Sequence, residues 1–374
     1  IIPKPFDSRV LATEALVVAR AAVDSGVARE PITDWDEYRT RLEGMANRSI
    51  SVMNRIRAQA RHDPRRIVFA EGEDERVLEA CRILSDEGVA KPILLGDPER
   101  IAAGADHVGL DLSHVTLRDP AASSNIEEMA RILHHERARK GYDYTKARRM
   151  VERPIHHGVM MLRTGEADGL VCGAQRSYVD TIRVIMPLSE REPGVKRVVG
   201  VHVMLVGEQV YVFADTTLNI DPDARELADI AVIAARVARH FGLDPVVALL
   251  SFSNFGDNDL PSTRKVREAV RLLNAEHPEL RADGEMHADV ALAGDTCGKT
   301  VPDCKIAGGA NVLVFPDLQS ANIGFKLVGR LADCVSIGPL LYGLKQPINV
   351  VSVRSTVSEI VNMGALSGYE VGRA

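Results

Sequence analysis

The residues best suited to carry chemistry lie near the C-terminal end of the chain, between positions 308 and 361. There a short apolar strand leads to Ser352, and the helix that follows contains Glu359. Acyl transfer builds negative charge on a carbonyl oxygen, so a cation beside a strand-end hydroxyl would stabilise the transition state. Val353 stands where that cation is expected, which predicts impaired acyl transfer.

Phosphate-bearing ligands need cations, and arginine supplies the planar pair of donors that binds phosphate. Arg137 lies at the end of a predicted helix, while Arg176 and Arg183 lie on a helix after the turn at Gly173. Arginine on the surface of a helix is common, so each of these residues alone is a weak indication.

The segment SFSNFGDNDLPS, residues 251–262, follows a predicted strand directly. Backbone amides at such a loop and at the next helix start bind anions, and Ser262 is a candidate N-cap for that helix. Turn residues are common where strands end, so a simple turn is the main alternative.

Four residues of types that bind metals alternate along DGEMHADVAL: Asp283, Glu285, His287 and Asp289. On a strand they would share one face, and such a face could hold a divalent ion. No second cluster lies at a matching spacing, and the five cysteines lack the spacing of zinc ligands. The sequence therefore predicts no bound metal, and favours a polar lining of a cleft.

Strands and helices alternate from residue 64 onward, and they must position the candidate functional residues named above. Short apolar runs (RRIVFAEG, KPILLG, VTLRDP, ADGLVCGA) are separated by helices, which indicates parallel strands with right-handed crossovers. A hairpin around Gly207 and Glu208 precedes a second series of the same kind. The predicted fold class is α/β with two lobes, residues 61–190 plus 345–374 and residues 191–344, and a ligand cleft between them.

Residues 1–60 predict helices, over about 8–25 and 35–61, and the chain begins without methionine. We interpret this part as a helical linker from an upstream domain. A helical cap on the same domain agrees equally well with the pattern.

Composition excludes several classes of protein. The 374 residues are 45% apolar and 26% charged with a net charge of −6, as in a globular protein large enough for two lobes. The scattered charges offer no basic face to nucleic acid or to a membrane. Without a membrane-spanning run or a signal-peptide pattern, a cytoplasmic location is expected.

Long segments in the same order resemble phosphotransacetylases over residues 60–365: ADGLVCGA, VALLSFSNFG, DGEMHADVAL, ANVLVFPDLQSANIGFKLV, the predicted loop SIGPLLYG at 336–343, and the ending at 347–361. The N-terminal part, with IIPKPFDSRV and DWDEYRTRLE, resembles the junction at which large NADP-dependent malic enzymes pass into a phosphotransacetylase-like C-terminal domain.

The resemblance implies a cleft for coenzyme A and reversible transfer of acetyl between its thiol and phosphate. The closing motif of the family reads Asn-Asp-Leu-Ser-Arg-Gly and is followed by an aspartate base. Here Ser352 is retained, Val353 replaces the arginine, and Glu359 replaces the aspartate. Arg137 falls where a family arginine binds phosphate, so these positions are expected to be vestigial catalytic residues. Arg354, one position later, could swing toward the site instead, but neighbours on an extended segment face opposite sides, so we expect it to point away.

Binding of coenzyme A requires fewer groups than catalysis does: an apolar slot for its pantetheine arm and a few cations for its phosphates. The resemblance suggests that contacts to coenzyme A come from Arg183, Lys326, Tyr342, Lys345 and Ser352. Our first hypothesis is a catalytically silent regulatory domain of an NADP-dependent malic enzyme, with acetyl-CoA as allosteric inhibitor. The alternatives are an active phosphate acetyltransferase and a pure oligomerisation module.

The partners implied are acetyl-CoA, an upstream malic-enzyme domain of the same chain, and further copies of the chain in a dimer or up to a hexamer. NADP and a divalent metal would belong to the upstream domain. Neither nucleic acid nor a membrane is expected as a partner.

Overall fold

The computed structural model describes residues 8–28, 32, 34–35, 38, 52–293, 304–306, 308–332 and 334–371. Helix α1 spans Ser8–Asp24, as the sequence predicts. Of the second predicted helix, residues 52–62 are helical and form α2, whereas most of 35–51 lies outside the described residues.

The first series of strands and helices follows the predicted order. Its elements are β1 (Arg65–Phe69), α3 (Glu75–Asp86), β2 (Ala90–Leu95), α4 (Pro98–Val108), β3 (Thr116–Arg118), α5 (Ile126–Arg137), α6 (Tyr144–Val151), α7 (Pro154–Arg163), β4 (Gly169–Cys172) and α8 (Tyr178–Leu188). The strands predicted in this region are confirmed; β1, β3 and β4 are shorter than the runs that indicated them, whereas β2 is as long as its run and begins one residue earlier.

The second series begins with the predicted hairpin around Gly207. Its elements are β5 (Val199–Val206), β6 (Gln209–Ala214), α9 (Ala224–His240), β7 (Val246–Leu250), α10 (Pro261–Glu276), β8 (Arg281–Met286), α11 (Ala288–Leu292), β9 (Val312–Val314), α12 (Leu318–Leu331), β10 (Cys334–Tyr342), β11 (Ile348–Val350) and α13 (Val357–Glu370). The prediction of a loop over SIGPLLYG is wrong, because these residues continue β10 and pair with β5. Glycine and proline lowered the apparent strand propensity of this segment.

The described strands form one 11-stranded sheet in the order β3-β2-β1-β4-β11-β10-β5-β6-β9-β7-β8. Both outer parts are parallel, and the antiparallel pairings lie in the middle, where β10 joins β11 to β5 and β5 joins β6. The predicted α/β class is confirmed. The residue limits proposed for the two lobes stay a prediction, although β11 pairs with β4 as the predicted return to the first lobe requires.

Helices cover both faces of the sheet, because successive side chains on a strand point to opposite faces. In β1, Ile67 and Phe69 are buried in a core shared with α2, α3, α9 and α13, whereas Val68 belongs to a second core beneath α5 to α8. In β7 the same alternation sends Val247 to the shared core and Ala248 to a third core near α12.

Helix starts are fixed by short polar residues, as at α3, where the Asp74 side chain accepts from the Arg76 amide. The N-cap predicted at Ser262 is wrong: α10 begins at Pro261, a residue favoured at the first helical position. Among the residues that the structure describes, no helix is long and apolar enough to span a membrane.

Candidate functional site

A cavity of about 680 Å³ opens at the carboxyl end of β11, where the sheet changes from parallel to antiparallel pairing. Its walls come from the end of β11, the following turn, the first turns of α13, the start of β10, and one face of α12. Clefts of this volume at the carboxyl ends of strands are typical ligand sites in α/β proteins. Both halves of the sheet therefore contribute to one site.

The turn after β11 carries the serine that the sequence singled out. The Ser355 amide donates to the carbonyl oxygen of Ser352 at 2.9 Å, and the Ser352 amide donates to Ser355 Oγ at 3.0 Å. The Arg354 amide in turn donates to Ser352 Oγ at 3.2 Å. Three bonds among four consecutive residues thus hold the Ser352 hydroxyl at the wall of the cavity.

The expectation that Arg354 points away from the site is wrong. Arg354 lines the cavity, whereas the Val353 side chain is 54% exposed and is not part of the lining. The expectation assumed an extended segment with alternating side chains, but residues 352–355 form a turn, in which that alternation does not hold. The chain therefore presents an arginine to the cavity one position after Val353.

Arg76, at the start of α3, fixes this turn from outside the cavity. Its Nη1 atom donates to the carbonyl oxygens of Val353 at 2.8 Å and Ser355 at 3.0 Å, and its Nη2 atom donates to that of Ala174 at 2.9 Å. Asp74 pairs with the same guanidinium at 2.8 Å. Arg76 therefore joins the end of β4 to the turn that carries Ser352.

Glu359 lines the cavity and also caps α13. Its Oε2 atom accepts from the Thr356 amide at 2.8 Å, while Thr356 Oγ1 accepts from the Glu359 amide at 3.3 Å. This reciprocal pair is a capping box, which a Thr-x-x-Glu sequence favours. The acid predicted as a vestigial base thus has a structural role that accounts for a glutamate at this position.

The opposite wall contains a neutral histidine. Thr216 Oγ1 donates its only hydrogen to the Gly200 carbonyl at 3.0 Å, so His202 Nδ1 must be the donor in its 2.7 Å contact with that hydroxyl. Burial, together with the charge of Lys326, lowers the pKa of His202 to about 3. The imidazole is therefore uncharged near neutral pH, and it stacks on Phe325 with ring centroids 4.0 Å apart.

Cations of the cavity come from both halves of the sheet. Lys326 on α12 and Arg354 on the turn line it, together with apolar atoms of Phe325, Ile337 and Val351. Cationic and apolar surfaces thus share one site, as a long ligand with an apolar arm and anionic groups requires.

The structure brings together some of the predicted site residues and not others. Ser352, Glu359 and Lys326 line the cavity. Tyr342 and Lys345 line a separate small cavity at the end of β10, where Lys345 pairs with Glu190 at 2.9 Å. To contact Tyr342 and Lys345 as proposed, coenzyme A would have to reach the opposite ends of β10 and β11.

The two predicted arginines lie away from the cavity lining. Arg183 is an exposed residue of α8, paired with Asp180 at 3.1 Å. Arg137 is the last residue of α5, and its carbonyl oxygen accepts from the Tyr142 amide at 3.3 Å. Phosphate binding by Arg137 stays a prediction that no contact in the described part of the chain supports.

The loop at 251–262 already holds an anion of the protein itself. Glu285 is completely buried, and its Oε1 atom accepts from Ser253 Oγ at 3.0 Å and from the Gly256 amide at 3.1 Å. Arg267 contacts the same oxygen at 3.4 Å. One amide and one hydroxyl of the loop considered for an external anion thus bind this internal carboxyl group.

The alternating acidic segment does not form a shared metal-binding face. Glu285 points into the buried loop, Asp283 accepts from the Lys305 amide at 2.9 Å, and His287 Nδ1 contacts Asn254 at 3.1 Å. Within the described ranges, no three His, Cys, Asp or Glu side chains are grouped so that they could hold a metal ion.

A partly buried acid, Glu71, supports the strand ends beside the cavity. Both carboxylate oxygens of Glu71 lie within hydrogen-bonding distance of the Gly173 amide, at 3.0 and 3.1 Å. Burial raises the pKa of Glu71 to about 7, although hydrogen bonds from the Gly173 and Ala174 amides oppose that rise. The cap of α3 is the neighbouring acid Asp74, whereas Glu71 binds the strand end.

Sequence reasoning missed several lining residues, among them His202, Phe325 and Asn362. His202 lies in an apolar strand pattern, and Phe325 reads as an ordinary core residue. The Thr-x-x-Glu pattern at Thr356 could have predicted where α13 begins, and hence which of its residues face the cavity.

Comparison with known proteins agrees with this architecture. A family model described as phosphate acetyl/butaryl transferase matches residues 51–367. A phosphotransacetylase structure from Streptococcus pyogenes has a TM-score of 0.83 and 37% identity, and the match covers 87% of this chain and 99% of that one.

Two kinds of curated relative align with the chain. NADP-dependent malic enzyme of Escherichia coli (strain K12) is 38% identical over 379 residues, which cover 99% of this chain and 49% of that protein. Phosphate acetyltransferase of Bacillus subtilis (strain 168) is 38% identical over 305 residues, covering 82% of this chain and 94% of that protein. The chain thus spans about half the length of the malic enzyme, and nearly all of the acetyltransferase aligns with it. By sequence and by fold, the chain belongs to the phosphate acetyl/butaryl transferase family.

Proposed function

We propose that the cavity binds acetyl-CoA and that this chain is a regulatory domain with little or no acetyl transfer activity. Bound acetyl-CoA would act as an allosteric inhibitor of an NADP-dependent malic enzyme, formed with an upstream domain of the same chain. The observation that carries the proposal is a cavity with cationic and apolar surfaces, at which the partners of the Ser352 hydroxyl include no base among the residues that the structure describes.

The cavity suits a thioester of coenzyme A in its chemistry. Apolar atoms of Phe325, Ile337 and Val351 offer a surface for the pantetheine arm, while Lys326 and Arg354 offer charge to the phosphates and the thioester carbonyl. At about 680 Å³ the site is within the range of small-molecule pockets.

Proton transfer is the step for which the site is poorly equipped. The hydrogen bonds of Ser352 Oγ in the described part of the chain are to the Arg354 amide and Ser355 Oγ, and neither partner is a base. Glu359 caps α13 instead, and His202 is held neutral with a strongly lowered pKa. A general base must reach the proton it removes, so these contacts favour binding over turnover.

The regulatory part of the proposal is supported by the relatives. Malic enzymes align with 99% of this chain, including residues that precede the family match, and about half of their length lies beyond it. NADP and a divalent metal would belong to that other half. Acetyl-CoA can inhibit only if it binds two arrangements of the assembly with different affinity, and a coupling of ~1 to 3 kcal/mol is sufficient. The assembly would be at least a dimer, and a hexamer is proposed by the same resemblance.

A second candidate is favoured by one observation: Arg354 lines the cavity beside Ser352. A cation there could stabilise the developing oxyanion of a phosphate acetyltransferase. In that reaction phosphate oxygen attacks the acetyl carbonyl, the carbon–sulfur bond breaks, and the thiolate leaves to take up a proton, giving acetyl phosphate and coenzyme A.

Calorimetry with acetyl-CoA, combined with a spectrophotometric assay for acetyl-CoA formation from acetyl phosphate and coenzyme A, separates these functions. We expect saturable binding with turnover at least about 10²-fold below that of the Bacillus subtilis acetyltransferase assayed in parallel. Turnover within tenfold of that enzyme would establish the second candidate. The absence of binding at millimolar acetyl-CoA would leave an oligomerisation module.

A further inference from the structure

Helix α2 contacts both halves of the sheet through arginines two positions apart. Arg55 Nη2 donates to the carbonyl oxygen of Phe241 at 2.6 Å, at the C-terminal end of α9. Arg57 Nη2 donates to Asn362 Oδ1 at 2.8 Å, on α13. The α9 contact lies in the second half of the sheet, and α13 packs on the first half as well as on the strand that follows β10.

The helix is firmly seated between these contacts. Met53, Ile56 and Ala60 on its inner face are buried in the core shared by both halves. At its end, Arg61 binds the carbonyl oxygen and the carboxylate of Glu87 at 2.9 Å each. A small displacement of α9 relative to α13 would therefore move or strain α2, since packed interiors transmit strain.

The Arg57 contact leads directly to the cavity. Asn362 is one of the residues that line it, three positions after Glu359. Arg57 is only 4% exposed and reaches Asn362 across 305 residues of sequence. A buried guanidinium is costly unless its donors are bound, so Arg57 will respond to any change in the position of Asn362.

We propose that α2 transmits the occupancy of the cavity to the segment that precedes it, with Arg57 responding to Asn362 and Arg55 to the end of α9. A ligand that contacts α13 and α12 together selects one arrangement of the two halves, and α2 adopts the orientation that satisfies both arginines. The inference rests on the proposed function, because the transmitted signal is acetyl-CoA binding. The preceding segment is the part of the chain that would lead to the malic-enzyme domain.

Amide hydrogen exchange of residues 52–62, measured by mass spectrometry with and without saturating acetyl-CoA, tests this route in the 374-residue chain. We expect acetyl-CoA to slow exchange in this helix at least about fivefold, the lower end of an allosteric coupling. Arg55→Ala and Arg57→Gln should each reduce that difference to less than about twofold while acetyl-CoA still binds by calorimetry.

Arg61→Ala is the control on the same helix: Arg61 binds Glu87, which also lies 3.9 Å from Arg57, and its removal leaves the Phe241 and Asn362 contacts in place. It should keep the full exchange difference. If Arg57→Gln does not fold, Arg55→Ala decides the matter, since Arg55 is an exposed residue. Binding with an unchanged exchange rate in the wild-type helix would overturn the inference and leave the proposed function standing, whereas absence of binding would remove both.

Discussion

The backbone amide of Arg354 donates a hydrogen bond to Ser352 Oγ at 3.2 Å, so the arginine and the serine of the cavity belong to one turn. The Val353 side chain between them is exposed and lies outside the lining. The position directly after Ser352 thus carries no cation to the site, whereas the next position presents an arginine to it.

Arg354→Gln should weaken acetyl-CoA binding about 10- to 100-fold, because a charged hydrogen bond contributes ~1.5 to 3 kcal/mol and each 1.4 kcal/mol is tenfold in affinity. Glutamine keeps a similar length without the charge. Calorimetry with acetyl-CoA measures the change.

Val353→Arg is the companion to that experiment. The sequence alone suggests that this substitution restores acetyl transfer, but the exposed position of Val353 predicts no gain in turnover and little change in affinity. A large rise in acetyl transfer with Val353→Arg would contradict the turn geometry described for Ser352 and Arg354.

Arg76→Ala should destabilise the protein by about 1.5 to 3 kcal/mol, because the carbonyl oxygens of Val353, Ser355 and Ala174 would lose a charged donor. It should also weaken acetyl-CoA binding, since the turn would no longer be fixed to β4. Urea unfolding and calorimetry give the two values.

Arg82→Ala provides the comparison on the same helix. Arg82 contacts Asp86 at 3.5 Å on the surface, and pairs of this kind contribute less than about 1 kcal/mol. Equal losses in both variants would mean that Arg76 acts only as a surface residue of α3.

The order of strands and helices could be predicted from sequence because it depends on local patterns. A short apolar run such as the one around Ile67 indicates a strand that is buried on both faces, as in a parallel sheet. The hairpin at Gly207 was equally readable, since glycine allows the left-handed conformation that its φ of 56° requires. The strand through Gly338 and Pro339 was missed because pairing with β5 overrides the local preference of those residues.

The site was less predictable because its parts meet through tertiary contacts. Ser352 and Glu359 were found from the strand-to-helix pattern, but the direction of Arg354 depends on a turn fixed by Arg76, which lies 279 residues from Ser355 in the sequence. The link between Arg57 and Asn362 likewise has no signature in either segment. The family resemblance suggested the ligand class, and only packing decided which of the candidate residues share a cavity.

The capping box at α13 predicts different effects for its two members. Thr356→Ala should cost about 1 kcal/mol of unfolding free energy, because the Glu359 amide would lose its acceptor. Glu359→Gln should cost less than about 0.5 kcal/mol, since glutamine also accepts from the N-cap amide in this motif. Urea unfolding measures both; an equal loss in Glu359→Gln would show that the charge of Glu359 has a further role in stability.

Glu370 predicts a specific dependence of stability on pH. It is 9% exposed, and burial raises its pKa from 4.5 to about 7, against the opposing effects of a hydrogen bond from Asn349 and the charge of Arg236. Between these two values the folded state retains a proton that the unfolded chain has lost. The free energy of unfolding therefore falls as pH rises through this window, by up to about 3 kcal/mol from this group, and levels off above the folded-state pKa.

Glu370→Gln removes that titration, because the amide has no proton to lose in either state. Glu71, whose pKa is also raised to about 7, contributes a fall of the same sign in both proteins, so the difference between variant and wild type isolates Glu370. Urea unfolding at pH 5 and pH 8, both chosen near the ends of the window, should show the variant gaining stability relative to wild type by about 1 to 3 kcal/mol at the higher pH. Parallel curves would mean that Glu370 is ionised in the folded protein throughout, and hence that Asn349 and Arg236 compensate its burial fully.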